Sequence, residues 1–273
     1  MYLRRFNLKN HPLPKDAQGA SFFTETKGFQ RLEWAFDTLL EDCGLNILTA
    51  APGVGKTAAI RELCSRLPRP DYRVFYLCDT AVAPLDLYRM LAVDLGVPPS
   101  HRRSQLWADI KSEITKLVDE QGVTPVLVLD EAQHLADRFL VDLSGFLNFA
   151  FDSRDLFPMW LVGMPQMLAR LRMQQHAALA MRVACHVHLE ALGHDELVAL
   201  VRHALTAAGA QEKLLADPAM ELLFRTSRGI PRIASKLLRA ALREAHRQDQ
   251  RFVDERVLEA AIEQVGLVVE ATS

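Results

Sequence analysis

The stretch from Leu45 to Arg61 holds the residue types that bind a polyphosphate. An apolar run, Leu45-Asn46-Ile47-Leu48-Thr49-Ala50, feeds Ala51-Pro52-Gly53-Val54-Gly55-Lys56-Thr57, and the helix-competent Ala58-Ala59-Ile60-Arg61 follows. A strand, a glycine-containing turn and a helix in this order aim backbone N–H groups at phosphate oxygens. Gly53, Val54, Gly55, Lys56, Thr57 and Ala58 are therefore the candidate nucleotide ligands. The Lys56 ammonium is expected on the β- and γ-phosphates and the Thr57 hydroxyl on Mg²⁺. The full motif begins with a glycine where this chain has Ala50, so the strand must turn without it.

A second constellation fits the first. Val126-Leu127-Val128-Leu129 reads as a buried strand and ends in Asp130-Glu131. Carboxylates at the C-terminal edge of a parallel strand can serve a nucleotide: Asp130 in the Mg²⁺ shell, Glu131 polarising the attacking water. Two acids there also suit the start of a helix. With the phosphate-binding loop upstream, the pair points to ATP hydrolysis with Mg²⁺ as the cofactor.

The elements that must position these groups follow from periodicity. Strands are expected at Arg73–Cys78, Val126–Leu129 and Met159–Gly163, beside the one before the loop, with helices over 26–42, 85–95, 107–119 and 140–151. Strands alternating with helices imply a parallel sheet covered on both faces. Beyond residue 190 the strand signal fades, and 195–208, 218–226, 231–247 and 254–265 read as helices. The expected organisation is an α/β core with an N-terminal arm over 1–190 and a small all-helical domain over 191–273. Phe6, Leu8, Phe22 and Phe23 are expected to pin the arm, whose Asn10-His11-Pro12-Leu13-Pro14 is loop-like.

Composition bounds the classes. The chain has 273 residues and a net charge of −2, so any nucleic-acid site must be local. Cys43, Cys64, Cys78 and Cys185 lack CxxC spacing, which favours reduced thiols over a disulfide or zinc framework. Without an apolar signal core at the start, or a long apolar run, the expectation is a cytoplasmic protein with no membrane partner.

Across nearly the whole chain these residues resemble the ExeA/GspA-type AAA+ ATPases, a group similar to the transposition helper ATPases of the TnsC/TniB type and phage Mu B. The resemblance rests on Met1-Tyr2-Leu3-Arg4-Arg5-Phe6, the phosphate-binding loop, Leu129-Asp130-Glu131-Ala132-Gln133-His134-Leu135, Leu161-Val162-Gly163 with Pro165, and Arg228-Gly229-Ile230-Pro231-Arg232. It implies a P-loop NTPase (AAA+) parallel sheet with covering helices plus a C-terminal helical lid. It also implies a homo-oligomer, ring or helical filament, with ATP between subunits. It makes Arg232 the lid arginine that reads the γ-phosphate and Arg182 a candidate arginine finger. The polar residue that relatives carry after Gly163 is Met164 here, with Gln166 close by, so hydrolysis is expected to be slow. A thioether cannot orient water as an amide does.

Two outputs stand beside each other. Secretion-type relatives carry a membrane segment and a wall-binding region after the ATPase, and this sequence ends at Ser273 with neither. That favours a transposition regulator that assembles on double-stranded DNA, without sequence preference, and recruits a transposase or other recombination protein. The alternatives are a secretion-associated ATPase and a nucleotide-gated interaction module. Between residues 225 and 251 there are eight basic and two acidic residues, and from Pro231 on their spacing puts Arg239 and Arg243 along one side of a helix. Such a stripe could follow a phosphate backbone or simply be solvated. Arg102 and Arg103, with Lys111, are the competing DNA element. Neither patch has interleaved aromatics, so phosphate contacts rather than base stacking are expected.

Overall fold

The structure, a computed structural model, describes residues 2–266. These form two compact units. Residues up to 30, 51–62 and from 190 onward form one; 31–50 and 63–189 form the other. In chain order the helices and strands are α1 (Tyr2–Arg5), α2 (Lys27–Asp42), β1 (Gly44–Ala50), α3 (Lys56–Ser65), β2 (Tyr72–Leu77), α4 (Pro84–Leu95), α5 (Arg103–Asp119), β3 (Thr124–Leu129), α6 (Asp137–Phe146), β4 (Pro158–Gly163), α7 (Gln166–Leu171), α8 (Ala177–Ala180), β5 (Val183–Leu189), α9 (His194–Ala207), α10 (Asp217–Ser227), α11 (Pro231–Arg247) and α12 (Glu255–Val265).

The sheet unit carries five parallel strands in the order β2-β3-β4-β1-β5. One face of the central strands, with Leu45, Ile47, Leu127, Leu129, Met159 and Leu161, is covered by apolar side chains of α4, α5 and α6. On the other face Phe36 of α2 stacks on the fully buried Trp160 at 6.0 Å. The buried Asn46 amide donates to the Ala35 carbonyl at 3.1 Å, which keeps a polar side chain tolerable inside an apolar strand. Because every strand is parallel, the C-terminal ends of β1 and β3, both paired with β4, lie on one edge of the sheet.

β5 is a strand that periodicity does not announce. Val-Ala-Cys-His-Val-His-Leu over 183–189 buries only Val187 and Leu189, because an edge strand keeps one side half wet. The helix expected over 140–151 is also different. α6 runs from Asp137 to Phe146, after which Ala150, Phe151 and Asp152 all take positive φ and Phe149 bridges to Arg154. Leu147 and Phe149 are buried as helical core residues would be, so burial there mimics a helix face in the sequence.

The helical unit packs α9, α10, α11 and α12 around Leu197, Leu223, Leu237, Leu238, Ala241 and Leu258. The arm belongs to it. Tyr2, Phe6 and Leu8 are buried in the same cluster, Phe22 lies 5.3 Å from Phe29, and Phe23 lies 5.6 Å from His203.

Candidate nucleotide site

β1 delivers the chain in extended form to Ala50, which is fully buried and paired with Leu189 of β5. Ala50 is an ordinary strand residue here, so the motif's missing glycine leaves no backbone strain. The glycines that need special geometry are those present. Gly53 has φ 84° and Gly55 φ 117°, in the left-handed region that only glycine enters freely. Successive amides in such a turn form a concave cradle for an anion. Lys56, buried at the start of α3, donates from Nζ to the Ala51 carbonyl at 3.5 Å, and Thr57 and Ala58 follow in the first turn. The cradle, a buried ammonium and the Thr57 hydroxyl are the donor set a triphosphate with Mg²⁺ requires.

In the same unit the first turn of α11 rests on this loop. The Arg232 N–H donates to the Gly53 carbonyl at 3.2 Å. A Cβ on Gly53 would lie 3.0 Å from Cβ of Arg232 and 3.1 Å from Cγ2 of Ile230, so only a glycine allows this approach. Pro231 opens α11, where its missing N–H costs nothing. The Arg232 side chain itself is exposed. Just before it, Gly229 (φ 73°) accepts from the Leu192 N–H at 2.9 Å, and a Cβ there would lie 2.0 Å from the Leu192 carbonyl oxygen.

The acidic half lies in the sheet unit. Asp130 is 1% exposed. Its Oδ1 accepts from the Glu131 N–H at 2.7 Å and its Oδ2 from the Tyr76 hydroxyl at 2.8 Å. Burial first, and the bond to Asp130 second, push the Tyr76 phenol well above its ordinary range. Glu131 sits at φ 53°, ψ 35°, a left-handed conformation that costs a non-glycine residue about 1 kcal/mol or more. Thr80 holds that turn by donating to the Glu131 carbonyl at 2.8 Å.

Gln133 completes the arrangement, and sequence reading missed its role. Its Nε2 donates to Glu131 Oε2 at 2.6 Å while its Oε1 accepts from the Met164 N–H at 3.0 Å. The side-chain amide at this position therefore comes from Gln133, not from Met164, whose backbone alone takes part, nor from the exposed Gln166. Gly163 makes room, since a Cβ there would lie 2.9 Å from Gln133 Oε1. Arg170 braces the turn by donating to the Gln133 carbonyl at 2.8 Å and the Leu135 carbonyl at 2.6 Å. The signals available were a glutamine two residues after Glu131 and a tyrosine one residue before the end of β2.

The remaining candidates stand elsewhere in their units. Arg182, half-buried, pairs with Asp152 of its own chain. Arg103 pairs with Asp142 at 2.8 Å and lies 4.2 Å over Trp107. Lys111 donates to the Asn148 carbonyl at 2.6 Å and lies 4.7 Å from the centre of the Phe149 ring. Desolvation, then Arg182, lowers its pKa. Arg102 is exposed at the N-terminus of α5. Arg239 donates to the Leu13 carbonyl at 2.6 Å, joined there by Ser235 at 3.1 Å, so part of the basic side of α11 holds the arm. Arg243 remains exposed. The structure thus brings Arg232 to the loop glycines and Tyr76, Thr80 and Gln133 to the acids, while the basic residues are spread over both units.

Residues 39–171 match the family model of the AAA domain. The fold is that of an AAA+ P-loop domain with a C-terminal helical region. In solved structures the chain is similar to the ORC2 protein of Aeropyrum pernix in its ADP form, with TM-score 0.70 at 17% identity, covering 92% of this chain and 71% of that one. It is also similar to the ORC1 protein of Aeropyrum pernix in complex with DNA, with TM-score 0.67 at 16% identity, covering 93% and 67%. Among curated proteins, the general secretion pathway protein A of Aeromonas hydrophila is 27% identical over all of this chain and 50% of its own length, so the chain spans half of that relative. The glycine cradle described above suits the phosphates of a nucleotide. Among the described residues no helix is long and apolar enough to cross a membrane.

Proposed function

We propose that this chain is a slow, Mg²⁺-dependent ATP hydrolase used as a switch. Lys56 and the loop amides hold the phosphates, Thr57 and Asp130 are the Mg²⁺ ligands, and Glu131 activates the attacking water. Mg²⁺, when bound, neutralises charge on the phosphate oxygens. The observation that carries the reading is the bond from the Arg232 N–H to Gly53. It ties the first turn of the lid helix to the loop that would hold the phosphates. Arg182 becomes a finger for a neighbouring subunit's nucleotide once it exchanges Asp152 for that phosphate. The helices from 191 onward act as the nucleotide lid.

The output we propose is ATP-dependent assembly, as ring or filament, on double-stranded DNA in the manner of a transposition regulator, with a transposase or other recombination protein as partner. The exposed Arg102 and Arg243 support it, as does an ORC1 neighbour solved with DNA. A secretion-linked role is the second reading, favoured by the relative from Aeromonas hydrophila that matches the full chain. Anisotropy of a labelled duplex with ATP, ADP or no nucleotide separates them. Binding with ATP only, falling steeply with salt as phosphate contacts require, is the expected result. No binding in any nucleotide state would remove the DNA reading and leave the secretion-linked one.

A further inference from the structure

β2 is an edge of the sheet, paired only with β3. The carbonyls of Asp71 and Leu77 accept from Thr124 and Asp130, so the odd-numbered residues turn their peptide groups toward β3. In a parallel ladder the even-numbered Val74 and Tyr76 then turn theirs outward, where no further strand follows among the described residues. Native edges of this kind are normally protected by charge, proline or a covering element. This one carries a single charge, the exposed Arg73, whose guanidinium donates to the Asp94 carbonyl at 2.6 Å, and it exposes Val74 (38%) and Tyr76 (44%).

Beside that edge runs α4. Between them lies an open cleft of about 490 Å³, lined by Tyr76, Cys78 and Asp79 from the strand side and Met90, Val93 and Asp94 from the helix. Val93 is 59% exposed. A free strand edge walled by a helix is the geometry in which an extended peptide adds as a further strand, its main chain giving affinity and its alternate side chains specificity. The cleft's charge selects the peptide. Asp86 is neutralised by Arg89 at 2.8 Å, but Asp79 and Asp94 make no ion pair among the described residues. We propose that this groove binds an extended segment of a partner protein in which apolar residues alternate with lysine or arginine. The apolar side chains lie on the face of Val74 and Tyr76, and the cations, on the α4 face, meet Asp79 and Asp94. Tyr76 lines the groove and its hydroxyl donates to Asp130, so occupancy also bears on the acidic half of the nucleotide site.

The test uses the full chain without nucleotide, so that it stands or falls apart from the ATPase reading. Labelled peptides alternating valine with lysine, and valine with glutamate, are titrated by anisotropy, together with the lysine peptide N-methylated on its backbone. The lysine peptide is expected to bind about tenfold or more tighter than the glutamate one, and N-methylation to abolish binding. Asp94→Lys, a surface change, should weaken the lysine peptide by about tenfold and strengthen the glutamate one. Val74→Pro removes an outward N–H that the β3 ladder does not use and should weaken both. Absence of binding, equal affinity for both peptides, or affinity unchanged in Asp94→Lys would overturn the proposal.

Discussion

The N–H of Arg232 and the carbonyl of Gly53 are 3.2 Å apart, which makes the start of α11 part of the phosphate-binding loop's own hydrogen bonding. Gly53→Ala attacks this relationship twice, through its φ of 84° and through a Cβ 3.0 Å from Arg232. ATP affinity should fall by about tenfold or more, equivalent to ~1.4 kcal/mol. A fluorescent-nucleotide titration measures it, and unchanged affinity would show that the loop and α11 separate without cost.

Gln133 links Glu131 to the backbone after β4, so it acts through the glutamate rather than on the nucleotide. Gln133→Ala is expected to lower kcat about tenfold while KM for ATP changes less than about twofold, the signature of a lost orientation rather than lost binding. Gln133→Asn, too short to span both partners, should resemble it. A rise in KM with kcat intact would assign Gln133 to binding instead.

Gly229→Ala should act on stability. Its Cβ would lie 2.0 Å from the Leu192 carbonyl oxygen, a clash with backbone that no rotamer relieves. A loss of about 2 kcal/mol or more is expected, read as a lower midpoint in urea. A midpoint equal to wild type would mean the 190–193 segment repacks freely.

Acid sensitivity should come from Glu244. It is 2% exposed and accepts from Arg247, Gln248 and Gln264. Those bonds, Arg247 first, hold its carboxyl down to about 2. A depressed folded pKa stabilises above the unfolded value, near ~4.3, and the contribution is lost as pH falls from there toward 2. Glu244→Gln should therefore flatten the stability profile across that window and leave its shape near neutrality unchanged. An identical slope in both proteins would place the acid sensitivity elsewhere.

Where one principle dominates, the sequence is explicit. The loop glycines must adopt φ values closed to other residues, and an apolar strand ending in two acids has few other uses. The strands β1, β3 and β4 are central and apolar, so their pattern is unambiguous. β5 is less legible because an edge strand with His186 and His188 on its wet side lacks a full apolar row. Gln133 stands in the Asp130-Glu131-Ala132-Gln133 segment, but its role is hidden for a different reason. Its role depends on the Met164 N–H reaching it across the sheet edge, a tertiary relationship that no local pattern encodes. The basic stripe of α11 shows the reverse problem: helical spacing aligned Arg239 and Arg243, but Arg239 serves the Leu13 carbonyl.

The proposed ATP hydrolysis is tested most directly by ATP binding and turnover with Mg²⁺ in three proteins. Wild type should bind ATP and release phosphate slowly. Lys56→Ala should lose binding, and Glu131→Gln should bind ATP as tightly as wild type while turnover falls by about a hundredfold or more. Wild type that fails to bind ATP, or Lys56→Ala that binds and hydrolyses as wild type does, would contradict the account.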